Sequence, residues 1–214
     1  MAELYTYFRS STAYRVRIAL NLKGVDYDPK FVHLVKNEQK SAVHKKLNPS
    51  QAVPVFKDGD WVLTQSMAIL EYLDETHPEP ALLPTDAKGR ARVRQLANII
   101  ACDIHPVANL RVLKYLENEL HVDKSEKLAW YRHWVEEGLS ALEQLVKNNP
   151  STGTYCHGDA VTLADICLVP QLYNAKRFDC NAKKYPTLVK IGQRLEKLPA
   201  FKAAAPENQP DCDV

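Results

Sequence analysis

The sequence predicts an α/β layer over residues 1–80 followed by an all-helical domain. Three observations carry this. Short runs of β-branched and aromatic residues alternate with helical-period segments as far as Glu75. Pro78, Pro80 and Pro84 then break all periodicity between residues 76 and 88. From Arg90 onward the apolar spacing is helical throughout.

In order, Leu4–Tyr7 reads as a strand, and Ser10, Ser11 and Thr12 supply hydroxyls that suit a helix start. Val16, Ala19 and Leu20 then fall at helical spacing, and Gly24 marks a stop. A second strand covers Asp28–Leu34, and a weak polar helix Asn37–Lys46. Val55–Lys57 and Trp61–Leu63 flank Asp58-Gly59, a strong hairpin signal. Ser66, at the head of an amphipathic helix that turns Ile69, Leu70 and Leu73 inward, reads as its N-cap. Strand, helix, strand, hairpin, helix is the thioredoxin-like plan. Residues 81–88 serve as linker, and 89–214 as the second domain.

In that second domain a long helix is expected over about Lys88–Leu120, kinked by Pro106. Another covers about Ser125–Lys147, with Trp130, Trp134, Leu139, Leu142 and Leu145 facing the core. Thr162 and Asp165 form a capping box into a third, and about Leu188–Leu198 is a fourth. The proline-broken tail to Val214 reads as an extended strap.

Composition excludes more than it selects. The net charge of +2, from 28 basic and 26 acidic residues, gives no field for nucleic acid. Arg90, Arg92 and Arg94 alternate along a helix, as a solvated face or an interface would. Five cysteines, an odd number without a CxxC pair, suit free thiols in a reducing compartment and no metal. No apolar run is long enough to cross a bilayer, and the first strand starts too early for a signal peptide, so a cytoplasmic location is expected. The seven glycines never form a dinucleotide or P-loop motif, and no nucleophile elbow, metalloprotease motif or carboxylate pair is present.

The hydroxyl-rich turn at residues 10–12 is the chemical centre of the sequence. It stands where a helix N-terminus offers partial positive charge and free N–H donors, a setting for a small anion such as a thiolate. A thiol of pKa ~8.5 needs about 2 kcal/mol of preference for the anion to be half ionised near neutral pH. One hydroxyl bonded to charged sulfur supplies roughly 1.5–3 kcal/mol, and the helix end about 0.3–1. The same hydroxyls also serve as plain helix caps.

The run from Phe8 through Arg9-Ser10-Ser11-Thr12-Ala13-Tyr14-Arg15-Val16-Arg17-Ile18-Ala19-Leu20 to Lys23-Gly24 resembles the signature of zeta-class glutathione transferases, the maleylacetoacetate isomerases. It departs at Thr12, where Cys is usual; Thr at that place also occurs in maleylpyruvate isomerases. The resemblance extends over nearly the whole chain and implies the glutathione transferase fold. It implies a homodimer that isomerises maleylacetoacetate to fumarylacetoacetate in tyrosine and phenylalanine catabolism, with glutathione as cofactor and a small dicarboxylate as substrate. Maleylpyruvate isomerisation, glutathione conjugation or dehalogenation, and a non-catalytic assembly module are the alternatives.

Residue by residue, the resemblance gives Ser10 as first choice for the thiolate donor, with Ser11 and Thr12 sharing or substituting. It implies that Pro54 follows a cis bond, turning the Val53 backbone toward the cysteinyl unit of glutathione, within Gln51-Ala52-Val53-Pro54. Gln65 and Ser66 are implied to grip the γ-glutamyl carboxylate and amine. His105, Asn109 and Arg111 are implied to line the glutathione or acidic-substrate site. Arg9 and Arg177, with Arg111 third, are expected to fork onto substrate carboxylates.

Overall fold

The computed structural model describes residues 1–213; Val214, the end of the expected second domain, lies outside them. The chain divides into two compact units, one of residues 1–81 with the segment from 196 onward, the other of residues 82–195. Among the described residues no helix is long and apolar enough to cross a membrane.

The first unit runs β1 (Ala2–Thr6), α1 (Ser11–Lys23), β2 (Tyr27–Phe31), α2 (Ala42–Leu47), β3 (Val55–Asp58), β4 (Trp61–Thr64) and α3 (Ser66–Thr76). Its sheet has the order β2-β1-β3-β4, parallel only between β1 and β2. Pro29 sits in β2, an edge strand, where a missing ladder N–H is tolerated. Gly59, at φ +58, makes the β3–β4 turn, and Gly24, at φ +63, ends α1. The tail differs from the expected strap. Residues 199–204 form a short helix that packs on α1, which is why the segment belongs to this unit.

With α3 also packed on it, α1 keeps almost no exposed face, and both Arg15 and Arg17 are buried. Arg17 ties the unit together. Its guanidinium donates to Ala204 O (3.0 Å), Thr6 Oγ1 (3.0 Å), Tyr7 O (3.3 Å) and Phe8 O (3.0 Å). Burial pulls it down to about 10, still charged at neutral pH. The Phe8 N–H donates to Asp211 Oδ2 at 3.0 Å and the Ser10 N–H to Tyr7 O at 2.9 Å. The backbone of the β1–α1 turn is thereby fixed from both sides.

The second unit contains α4 (Ala87–Asn98), a π segment (Ile99–Ile104), α5 (His105–Val107), α6 (Leu110–Asn118), α7 (Lys124–Val146), α8 (Leu163–Arg177) and α9 (Pro186–Leu195). The expected single helix kinked at Pro106 is instead interrupted two residues later. Asn109 turns extended (φ −70, ψ 147) and its side chain accepts from the Arg111 N–H, capping α6. The wider π register just before Pro106 relieves the clash a proline ring makes with the preceding turn.

On α7 the buried stripe is Tyr131, Val135, Leu139, Leu142 and Val146. Leu139 and Leu142 are buried as expected, whereas Trp130, Trp134 and Leu145 are only half-buried, their neighbours Tyr131, Val135 and Val146 taking the inward positions. Trp130 Nε1 instead donates to Val107 O at 2.9 Å. Arg92 departs from the expected solvated stripe. It donates to Cys156 O (2.8 Å), Leu145 O (3.3 Å) and Thr152 Oγ1 (2.9 Å) and meets His157 Nδ1 at 3.2 Å.

Gly138 of α7 admits Ile104, the residue before His105: a Cβ there would meet Ile104 Cγ1 and lie 2.7 Å from Cδ1. Gly138→Ala is therefore expected to cost up to about 2 kcal/mol, an overpacking penalty of ~1–3 less the ~1 that Ala gains over Gly within a helix. Urea unfolding measures this, and an unchanged midpoint would show that Ile104 gives way freely.

Candidate active site

Ser10 is the N-cap of α1 and its Oγ accepts from the Ala13 N–H at 3.2 Å. The Thr12 hydroxyl donates to Val53 O at 3.0 Å. With that proton committed, the 2.9 Å contact between Ser10 Oγ and Thr12 Oγ1 makes Ser10 the donor. A relay thus runs from Ser10 to Thr12 to Val53. It brings together three of the residues that the sequence singled out.

The relay changes the energetics of holding a thiolate. The Ser10 proton already has an acceptor, so turning it onto sulfur exchanges a neutral bond of about 0.5–1.5 kcal/mol for a charged one of about 1.5–3. The net gain is about 1 kcal/mol. The end of α1 adds about 0.3–1. Together these come to about 1.3–2 kcal/mol, most or all of the ~2 that a thiol of pKa ~8.5 needs to be half ionised near neutral pH. Ser10 and Ser11 are buried, and Thr12 is the most exposed of the three hydroxyls. Arg9 is half-buried, its guanidinium 4.8 Å above the Phe8 ring.

The loop ahead of β3 is built by residues to which the sequence reading gave no role of their own. Asn48 Nδ2 donates to Ala52 O at 2.8 Å, while its Oδ1 accepts from Ser50 N (3.0 Å) and Ser50 Oγ (2.7 Å). The His44 Nε2–H donates to the same Ala52 carbonyl at 3.0 Å. Gln51 is held at φ +55, a left-handed conformation that costs a non-glycine residue energy. The Val53–Pro54 bond is cis.

At the start of α3 the cap residue is Gln65, exposed and at φ +71, with no capping bond from its side chain. Ser66 is the first helical residue rather than the expected N-cap, so its oxygen does not serve its own helix. It accepts from Arg15 Nη1 at 3.3 Å. A helix N-terminus with a hydroxyl whose proton has no acceptor among the described residues, and a guanidinium behind it, fits a carboxylate. The hydroxyl relay fits a thiolate. The first unit therefore offers donors for two small anions, one at the head of α1 and one at the head of α3.

In the second unit Asn109 Nδ2 meets His105 Nε2 at 3.2 Å, so the pair expected from four-residue spacing is formed although the helix between them ends. Arg111 is exposed, and its backbone N–H is taken up by the Asn109 cap. Arg177 ends α8, exposed, with its guanidinium 4.6 Å over the Phe178 ring. Phe178 is stacked in turn on Tyr131 at 3.8 Å.

Arg15 and Arg17 were present in the Arg-Val-Arg run but carried no role, because arginine ordinarily reads as surface. The available signal was that α1 lacks a polar face once both arginines are set aside.

Two family models match the chain: "Glutathione S-transferase, N-terminal domain" over residues 2–75 and "Glutathione S-transferase, C-terminal domain" over residues 107–204. A probable maleylacetoacetate isomerase of Vibrio cholerae is 52% identical, the match covering 98% of this chain and 97% of the relative. A holo structure of maleylpyruvate isomerase, described as a bacterial zeta-class glutathione transferase, superposes with a TM-score of 0.96 at 47% identity, covering 98% and 99% of the two chains. A maleylacetoacetate isomerase of Methylobacterium extorquens with bound malonate and glutathione gives a TM-score of 0.96 at 39% identity, covering 99% and 100%.

Proposed function

From the premise that this chain belongs to the zeta-class glutathione transferase and maleylacetoacetate isomerase family, we propose that it is a glutathione-dependent cis–trans isomerase of maleylacetoacetate. The observation that carries the proposal is the Ser10–Thr12–Val53 relay at the N-terminus of α1. When bound, glutathione supplies a thiolate that adds reversibly beside the substrate carbonyl, so that a C=C bond able to turn only at prohibitive cost becomes one that turns.

The chain's own residues hold and steer. Ser10 donates to the thiolate and is the first choice, with Thr12 and Ser11 in support. The Val53 carbonyl accepts from Thr12 and keeps a second lone pair for the cysteinyl N–H. Gln65 and Ser66 take the γ-glutamyl end, and Gln51 is proposed with Val53 among the residues that bind glutathione. Arg9, Arg177 and Arg111 are proposed for the substrate's two carboxylates, whose planar geometry matches a guanidinium fork. His105 and Asn109 are proposed as polar lining for the same ligands. Residues 1–80 and 89–214 are proposed as the glutathione-binding and substrate-binding domains.

The homodimer and the cytoplasmic location belong to the same proposal. Exposed Trp61, packed on Tyr72 at 4.6 Å, offers an apolar surface to a second copy. Thiol cysteines without a disulfide among the described residues suit a reducing compartment.

Maleylpyruvate is the second reading, favoured by Thr12 and by the 47% identity to a maleylpyruvate isomerase structure. An ultraviolet assay with each substrate, with and without glutathione, tests both. Turnover of maleylacetoacetate that requires glutathione without consuming it is expected. Stoichiometric consumption would instead indicate conjugation.

A further inference from the structure

Arg15 is 1% exposed, yet among the described residues its guanidinium has a single hydrogen-bond partner, Ser66 Oγ at 3.3 Å. Its Nε and Nη2 have none, and among the described residues it forms no ion pair. A charge buried with so few partners is costly, and an anion arriving nearby would repay it. The proton of Ser66 likewise finds no acceptor among the described residues. Both groups stand at the N-terminus of α3, an 11-residue helix whose first N–H groups are open to an anion.

We propose that Arg15 is a positioning residue for the anion site at the head of α3. Its Nη1–H occupies a lone pair of Ser66, so that the Ser66 hydroxyl faces the ligand as a donor. Its unused N–H edges hold positive charge behind that hydroxyl. The ligand group is a carboxylate, and on the function proposed above it is the α-carboxylate of the γ-glutamyl unit; the inference rests on that reading. Arg15 acts through Ser66 and through its charge rather than on the reacting atoms.

The test is calorimetric titration of wild type, Arg15→Met and Arg15→Lys with two ligands. One is glutathione, and the other is γ-aminobutyryl-cysteinylglycine, which lacks only the α-carboxylate. Arg15→Met is expected to weaken glutathione about tenfold or more, the size of one hydrogen bond to a charged group, and to leave the analogue unchanged. In turnover the loss falls on KM for glutathione rather than on kcat. Arg15→Lys, keeping charge without the fork, falls between, and carries the comparison if the Met variant does not fold.

Equal weakening of both ligands, or of neither, would overturn the inference, since a merely structural arginine does not distinguish them. Wild-type protein that bound neither ligand would overturn the function reading itself, and the wild-type titration separates that case from the first.

Discussion

Ser10→Ala is expected to lower turnover about a hundredfold at saturating glutathione, the usual size for one lost donor to a developing or held anion. The loss comes from two places. The thiolate loses its hydroxyl, and α1 loses the oxygen that accepts from the Ala13 N–H. The second effect costs about 1 kcal/mol of stability, which urea unfolding reads separately from the rate. Thr12→Ala sets the contrast. It removes the group that receives the Ser10 proton and ties it to Val53, so it misplaces the donor without deleting it. Ser10→Ala turning over like wild type would move the donor role to Ser11 or Thr12.

Asp165→Ala is expected to destabilise the second unit by about 4 kcal/mol, out of a total that for a domain is only ~5–15. Asp165 is fully buried at the head of α8. Its Oδ2 accepts from Thr162 N and Thr162 Oγ1, both at 2.8 Å, and its Oδ1 from Cys156 N at 2.9 Å. Burial pushes its carboxyl up, and those three bonds oppose the push. Deleting it strands three buried donors, each costing about 1–3 kcal/mol. A melting temperature lower by roughly 10 °C should result for a chain this long. Asp165→Asn keeps one acceptor oxygen and should recover part of the loss. An Asp165→Ala protein within 1 kcal/mol of wild type, on the scale of the measurement error, would show that water reaches the stranded groups.

What was legible in the sequence was local chemistry with strong conformational preference. Ser10 and the Thr162–Asp165 pair announced helix starts through side chains that compete for free backbone N–H groups. Asp58-Gly59 announced a turn because only a residue tolerant of positive φ closes it. What stayed hidden depends on partners remote in sequence. Arg17 is buried because carbonyls from the β1 end and from Ala204 converge on it, an arrangement no window of neighbours reveals.

Pro106 drew the expected break to itself, whereas the π register absorbed the proline and Asn109, a side chain able to cap, set the interruption. On α7 the expected Leu139 and Leu142 are buried, but Tyr131, Val135 and Val146 hold the inward positions in place of Trp130, Trp134 and Leu145. At the site itself, hydroxyl identity was readable, but the direction of the relay was not. That direction follows from the Val53 carbonyl, which takes the Thr12 proton and so obliges Ser10 to donate.

The most direct test is to titrate the ultraviolet absorbance of the thiolate in the wild-type protein saturated with glutathione, and again in Ser10→Ala. Bound sulfur ionising near neutral pH, about a unit or more below the ~8.5 of a free thiol, with the shift largely lost in Ser10→Ala, is the predicted result. A bound thiol that titrates like the free one, or a shift equally large without the Ser10 hydroxyl, would contradict it.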